Sequence, residues 1–298
     1  MGISARVIAD SVNPDGDRLI TVEAVFNRYL LAEFNTHRDL SRNSASSRAI
    51  PVKKIMRQVW SDPALPISWG SNQAGMQARS ELSGWRRWVA RRLFLAARIP
   101  ALIVAWFMTK VGLHKQVANR ILEPWVWHTV VCSATEWENF FKLRLHPDAQ
   151  PEFQELAQRM QVAITGSTPR QIPWGGWHTP YTDELDEIAT PALIPFDYDA
   201  SVPIRAWVST ARCAAVSYVR QGDKRDPTKD VGLTVKLRAS GHWSPFEHVA
   251  MASRLSPTSN FRGWRQLRKF YPNESGRTPK DANCVCNHGP LYCPVHNG

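Results

Sequence analysis

The sequence predicts a mixed α+β fold, and three observations carry the prediction. Residues 19–25 are rich in β-branched side chains with partial alternation and read as a strand, as do residues 249–255. Between them apolar residues recur at helical spacing, most regularly Phe153, Leu156, Ala157, Met160 and Ile164. The 298 residues are 43% hydrophobic and 21% charged, the balance of a globular chain that forms one large domain or two ordinary ones.

Taken in order, the first strand runs into Asn27, which is placed to cap a helix over residues 29–36. That helix delivers a polar stretch, residues 36–48, which holds three Arg, one His and four Ser. Guanidinium forks and hydroxyls suit phosphate oxygens, so the stretch is an anion cradle or, on composition alone, a solvated linker. Pro51 marks a new start and residues 52–59 read as a short helix, followed by a loop over 61–75 with Pro63, Pro66, Gly70 and Gly75.

Trp85, Trp88 and Val89 share one face of the next helix, with Arg86, Arg87, Arg91 and Arg92 between them. It reads as a core helix with a solvated basic face, against the rival readings of membrane-interface or nucleic-acid contact. The apolar run 93–108 reads as buried helix, broken at Pro100 and too short to span a bilayer. Further helices are expected over 114–122, ending at Glu123 and Pro124, over 126–143, and through Phe153 to Ile164 with Asp148 as a possible cap. Residues 166–181 read as an ordered loop and 183–198 as an acidic connector punctuated by prolines. Residues 204–218 are helical, and Thr228 caps a helix that Gly241 stops after Ser240. After the strand at 249–255, Asn260 caps a last helix carrying Phe261, Trp264, Leu267 and Arg268. The succession of strand, Asn, helix and polar segment thus occurs twice, at 19–44 and 249–275.

The formal net charge of +11, with a pI of about 9.7, favours anionic partners. Five Cys, three of them in the last fifteen residues, suit a reducing compartment, and residues 1–6 have neither an apolar signal core nor the Ser or Thr wanted for myristoylation. A cytoplasmic location without a membrane partner is the expectation. In the tail, Cys284, Cys286, His288, Cys293 and His296 form either a zinc site or a segment without structure.

Three separated blocks together resemble the flavin-dependent thymidylate synthases. The family's signature has the form Arg-His-Arg-x-x-Ser-x-Asn-Glu-x-Ser-x-Arg, and His37, Arg38, Ser41, Asn43, Ser46 and Arg48 fall at matching positions. A second block is matched by residues 120–124, by 140–144, and by Ala149, Gln150 and Glu152. A third, Gly-His-x-Ser/Thr-Pro-Phe-Glu-His, is matched in full by residues 241–248, with its preceding Val-Ser-Tyr at Val216, Ser217 and Tyr218. The blocks cover about half the chain, in an order unlike ordinary members, where the third precedes the first. Circular permutation or duplication would produce that order, and the repeated strand–helix succession favours duplication. Long virus-borne members look similar, which would place the protein in host cytoplasm.

The resemblance implies a flavin-dependent thymidylate synthase-like fold, with helices packed on a mainly antiparallel sheet over residues 1–275. Its two possible halves are 1–182 and 200–275, followed by the Cys/His-rich tail 276–298. It implies C5 methylation of a pyrimidine deoxynucleotide, dUMP to dTMP. FAD would be the cofactor, with NADPH and methylenetetrahydrofolate as co-substrates, and no Cys nucleophile is required. By resemblance, Ser46, Ser47 and Arg48 would cradle the nucleotide phosphate, Arg120 would add charge there, and Glu33 and Ser44 would complete the substrate pocket. Arg144 would bind the pyrimidine carbonyl as the catalytic charge stabiliser. His37, Arg38, Asn43, Asn139, Ser217, His242, Ser244 and Glu247 would hold the flavin.

Relatives are homo-oligomers with sites at subunit interfaces, so a tetramer or dimer is implied. Thr36, Ser44 and Ser133 depart from the family pattern, at the positions of an Arg, a Glu and an Asn. Those departures leave open dCMP as substrate, a hydroxymethyl product for modified DNA, or a catalytically dead nucleic-acid-binding member. Nucleic acid is not the expected partner.

Overall fold

The computed structural model describes residues 2–183, 202–218, 226–254, 260–271 and 274. It is an α+β structure built on a five-stranded sheet of order β3-β4-β2-β1-β5. The strands are β1 (Ser4–Val12), β2 (Arg18–Asn27), β3 (Ser41–Ser44), β4 (Trp127–Ala134) and β5 (Arg170–Gln171). Every pairing is antiparallel except β1 with β5. The β1–β2 turn closes on Asn13, whose Oδ1 accepts the amides of Asp15 and Asp17 at 3.0 and 2.9 Å. A second sheet of order β6-β7-β8 joins Trp177–His178, Ala250–Ala252 and Trp264–Gln266.

The central strand β2 is covered on both faces, so only two of its ten residues escape burial. On one face Ile20, Val22, Ala24 and Phe26 join Val130, Cys132 and Ala134 of β4. They meet Phe153, Leu156 and Met160 of a long amphipathic helix, Pro151–Thr165. On the other face Leu19 packs with Ile172, Ala250, Ala252, Phe261 and Trp264 from the second sheet region. Beyond that layer the helix Ile204–Ala214 and the helix Pro227–Ala239 bury Trp207 and Val231 against Phe246 and Leu267.

We label the helices α1 (Leu31–Phe34), α2 (Val52–Ser61), α3 (Gly84–Lys110), α4 (Lys115–Ala118), α5 (Glu138–Arg144), α6 (Pro151–Thr165), α7 (Ile204–Ala214) and α8 (Pro227–Ala239). The expected strand at 19–25, the helix at 52–59, the amphipathic helix through Phe153 and the helices at 204–218 and 228–240 are all present. Gly241 stops α8 with φ +70°.

Several expectations fail for identifiable reasons. The segment 126–143 is not one helix but β4 followed by α5: buried on both sides, β4 mixes Val130, Val131 and Cys132 with buried His128, Thr129 and Ser133 and shows no alternation. The helix expected at 29–36 shrinks to a 3-10 turn, Arg28–Leu30, and the single turn α1. Asn27 does not cap it, because its side-chain amide donates to the Leu65 carbonyl at 3.0 Å. Caps move elsewhere too: α6 starts after Gln150 rather than Asp148, and Asp226 rather than Thr228 caps α8. The helix expected at 114–122 resolves into α4 and a 3-10 turn, Arg120–Trp125, that runs through Pro124.

No helix follows Asn260 among the described residues; β8 and a 3-10 turn, Leu267–Phe270, occupy that stretch. Among the described residues the strand at 250–252 is thus not followed by a helix like the one expected at 249–275. The first strand β1 and the short β5 and β6, the last two inside the expected loop 166–181, carried no sequence signal strong enough to place them.

The largest departure is α3. Pro100 does not break it; Pro100 and Ala96, whose carbonyl loses its partner there, are both exposed, where water satisfies the freed group. The helix is also not buried. Only Ala101, Leu102 and Ala105 are, packing with Ile55, Val59, Leu122 and Trp125. At 27 residues it is long and apolar enough to cross a membrane by length and composition, unlike the shorter run read from sequence.

Candidate functional site

The polar stretch 36–48 is neither loop nor linker over its whole length. It leaves α1 through a tight turn, becomes the edge strand β3, and ends in a second turn at Ser46–Ile50. As an edge strand, β3 pairs only with β4, and its exposed flank faces the 3-10 turn Ser244–Glu247 and the turn Ala215–Tyr218. Ser244 Oγ donates to the Arg42 carbonyl at 2.8 Å, Asn43 Nδ2 donates to the Cys213 carbonyl at 2.7 Å, and the Ser46 amide donates to the Ser217 carbonyl at 3.1 Å. Blocks two hundred residues apart in sequence therefore meet on one strand.

At the start of this stretch, Arg144 at the end of α5 reaches back over Phe153, its guanidinium carbon 4.4 Å from the ring centroid. Its Nε donates to His37 Nε2 at 2.7 Å, Nη1 pairs with Glu33 Oε1, and Nη2 makes only a long 3.4 Å contact with Thr36 Oγ1. Arginine has no acceptor, so His37 Nε2 is unprotonated and its proton sits on Nδ1. Burial, then the charges of Arg144 and Arg42, push the His37 pKa down to about 4, so the ring is neutral near pH 7. Its position is fixed by edge contacts with Phe140 and Phe153. Thr36, where the family pattern has an Arg, thus supplies a hydroxyl beside a guanidinium that another chain element provides.

Along β3 the charge is cationic. Arg42 Nη1 donates to the His37 carbonyl; burial lowers its pKa, and the nearby Arg38 adds to the shift. Glu247 is the nearby carboxylate and is paired with Arg268, which also donates to Glu274 at 2.6 Å. Arg38 and His242 are exposed, and His242 Nδ1 is 2.8 Å from Ser240 Oγ. At the far end, Asn119 Nδ2 donates to the Ser47 and Ile50 carbonyls at 2.7 and 2.9 Å. That bond sets the segment of Arg120 against Ser46, Ser47 and the exposed Arg48. Arg120 itself pairs with Glu123 at 2.8 Å.

The structure therefore groups Glu33, Thr36, His37 and Arg144 at one end of β3. Arg38, Asn43, Ser44, Ser217, Ser244 and Glu247 lie along it, and Ser46, Ser47, Arg48 and Arg120 at the other end. His242 lies on the loop leading to Ser244. Asn139 lies on the exposed side of α5, with no side-chain bond among those found to the rest of the group. The proposed zinc ligands Cys284, Cys286, His288, Cys293 and His296 lie outside the described residues; among the described residues no cluster of potential metal ligands occurs.

Sequence reasoning missed a buried layer beneath the site. Ser11 Oγ, His178, Thr21 Oγ1, Ser133 Oγ and His248 Nδ1 form a continuous hydrogen-bonded chain, with successive distances of 2.8, 2.8, 2.6 and 2.9 Å. Ser133, the third departure from the family pattern, holds the last His of the third block. Gln266 and Asn260, which bond Ser41, were missed as well. Nothing in local spacing marks such partners, because each pair is more than a hundred residues apart. A groove of about 840 Å³ lies elsewhere, between the N-terminal end of α3 and α6.

Neither protein-family models nor curated proteins give a match to the sequence. Solved structures do. A UMP/dUMP methylase, PolB, from Streptomyces cacaoi bound with 5-Br dUMP is similar at 13% identity and TM-score 0.44, covering 55% of this chain and 90% of its own. Thymidylate Synthase X from Helicobacter pylori with FAD and dUMP is similar at 14% identity and TM-score 0.36, covering 49% and 67%. A second structure of the H. pylori protein gives 19% identity and TM-score 0.34 over the same shares.

Proposed function

We propose that the protein methylates C5 of a pyrimidine deoxynucleotide with a bound flavin, dUMP to dTMP being the reaction the motifs favour. The observation that supports this most is the meeting of the blocks along one stretch: Ser244 bonds Arg42, Ser46 bonds Ser217, and Arg144 of the second block bonds His37 just before β3. A row of motif residues scattered over the chain has no reason to gather on one strand unless they serve one ligand set.

The donor set along β3 fits FAD. Arg38 and His242, exposed on the loops beside β3, offer charge and hydrogen bonds to a pyrophosphate at the protein surface. When bound, the flavin would supply the hydride, with NADPH as reductant and methylenetetrahydrofolate as carbon donor. The chain's own residues bind and orient. Ser46, Ser47, Arg48 and Arg120 hold the nucleotide phosphate at one end of the strand. Arg144 stands at the other, and its under-used Nη2 is the donor a pyrimidine carbonyl would take in place of the long Thr36 contact. Glu33 and neutral His37 hold the guanidinium in place, so its charge is oriented before negative charge develops on the ring oxygen. The active assembly is a homo-oligomer in this reading.

The substitution of Thr36 and Ser44 for charged residues favours a second reading within the same chemistry, with dCMP as substrate or a hydroxymethyl product. The absorbance spectrum of the protein reconstituted with FAD tests the flavin. Bound-flavin bands are expected, and a protein that stays colourless refutes the proposal. With flavin bound, NADPH oxidation in the presence of methylenetetrahydrofolate, compared for dUMP and dCMP, identifies the substrate.

A further inference from the structure

We propose that α3 docks on an anionic lipid surface, lying in the plane of the membrane interface with its exposed face among the acyl chains. The helix is about 40 Å long at 1.5 Å per residue. Along one side Ala101, Leu102 and Ala105 pack on α2 and the turn after α4, and Arg98 donates to the Val59 and Trp60 carbonyls at 3.0 and 2.9 Å. That side is committed to protein, so the helix cannot be lipid-surrounded without detaching. The opposite side is bare: Leu93 is 65% exposed, Ile103 50%, Phe107 56% and Val111 81%. Burying such side chains is favourable, and among the described residues of this chain nothing covers them.

The ends of the helix identify the partner. At its start Arg86 lies over Trp85 and Arg92 over Trp88, at 5.8 and 5.2 Å. At its end Lys110 lies over Trp106, at 5.2 Å. Between Leu93 and Thr109 the one charged residue is Arg98, which is turned to the protein side. Tryptophan and cation at both ends of an uncharged apolar face suit a helix lying at headgroup depth, with Trp and cations in the interface and the face turned to the acyl chains. In the groove beside the helix Arg91 adds a further cation, while Arg87 and Arg159 pair with Glu81 and Glu155.

A second copy fits less well. From Leu82 to Leu122 the chain has eight basic residues, namely Arg86, Arg87, Arg91, Arg92, Arg98, Lys110, Lys115 and Arg120, and no acidic one. Arg87 and Arg120 already pair with Glu81 and Glu123, and the segment has no carboxylate for the other six cations, whereas an anionic leaflet offers one to each.

The test is co-sedimentation of the full chain with vesicles of phosphatidylcholine, with and without phosphatidylglycerol. Binding is expected to the mixed vesicles, weakened by salt and by omitting phosphatidylglycerol. The double substitution I103E/F107E, on exposed positions, lowers the partition coefficient by roughly a hundredfold or more with unchanged far-UV circular dichroism. R86Q/R92Q lowers it by about fivefold per charge removed, on the mixed vesicles alone. A wild-type protein that binds neither vesicle overturns the proposal. So does a wild-type dimer that ignores vesicles and becomes monomeric on I103E/F107E, since the face is then covered by a second copy. Should I103E/F107E fail to fold, quenching of wild-type tryptophan fluorescence by brominated phospholipid remains the measurement: quenching supports insertion, and its absence rejects it.

Discussion

Lowering the pH from 7 to 5 will destabilise this protein through four buried histidines: His37 of the site, its pKa lowered to about 4, and three others. His178 and His248 are fully buried in the chain that joins Ser11, Thr21 and Ser133, and His128 is buried beside Arg28, whose Nη1 lies 3.1 Å from its ring nitrogens. Burial pushes each pKa from 6.5 down to about 3. The folded-state values lie below the unfolded ones, so the associated stability is fully present above pH 6.5. It is lost as pH falls from there toward 3, because the unfolded chain binds protons that the folded one refuses. Each group contributes a slope of about 1.4 kcal/mol per pH unit, and four together about 5–6. At pH 5, some 1.5 units below the unfolded value, the loss is about 2 kcal/mol per histidine and about 8 in all, comparable with the whole stability of a typical domain.

Urea unfolding at pH 7, 6 and 5, followed by tryptophan fluorescence, measures the slope. His178→Gln keeps a donor and an acceptor toward Ser11 and Thr21 while removing one titration, so the slope should fall by about a quarter. A stability that stays flat between pH 7 and 5, or a slope unchanged by His178→Gln, would refute the account of these histidines as neutral, desolvated links.

Three further outcomes are expected. Arg144→Lys removes the forked guanidinium while keeping the charge, and turnover in the pyrimidine assay should fall by about 10²–10³ as for a lost charge-stabilising donor; an unchanged kcat would remove Arg144 from the chemistry. Phe153→Ala opens a cavity in the main core and takes away the ring beneath Arg144, costing about 3–5 kcal/mol by urea titration. Gly263→Ala should destabilise by about 1–3 kcal/mol, because φ is +71° and a Cβ there would run into Asp17 and Asn13; a neutral Tm would show that the β1–β2 turn yields easily.

What was legible in the sequence followed from local rules. The strand at 19–25, the amphipathic helix through Phe153 and the stop at Gly241 rest on periodicity and on a glycine's tolerance of positive φ, both carried by neighbouring residues. The site residues were legible as motifs, since their types and spacings stand in the chain itself. Where the same rules failed, a tertiary partner overrode them. Asn27 left its capping role for the Leu65 carbonyl, and β4 lost its alternation because both of its faces are buried. Polar β3 became a strand because β4 offers it an edge and the turns around Ser217 and Ser244 bond its other side.

By itself, then, the sequence determined the α+β class, the long helices and the identity of the groups that gather along β3, because composition and period are local properties. Tertiary structure alone decided which of those groups touch. It placed Arg144 on His37 and Glu33, threaded His178 to His248 through Thr21 and Ser133, and left α3 bare instead of buried. Contact between residues a hundred positions apart depends on how faces stack across the sheet, and no local pattern encodes the face an element will find.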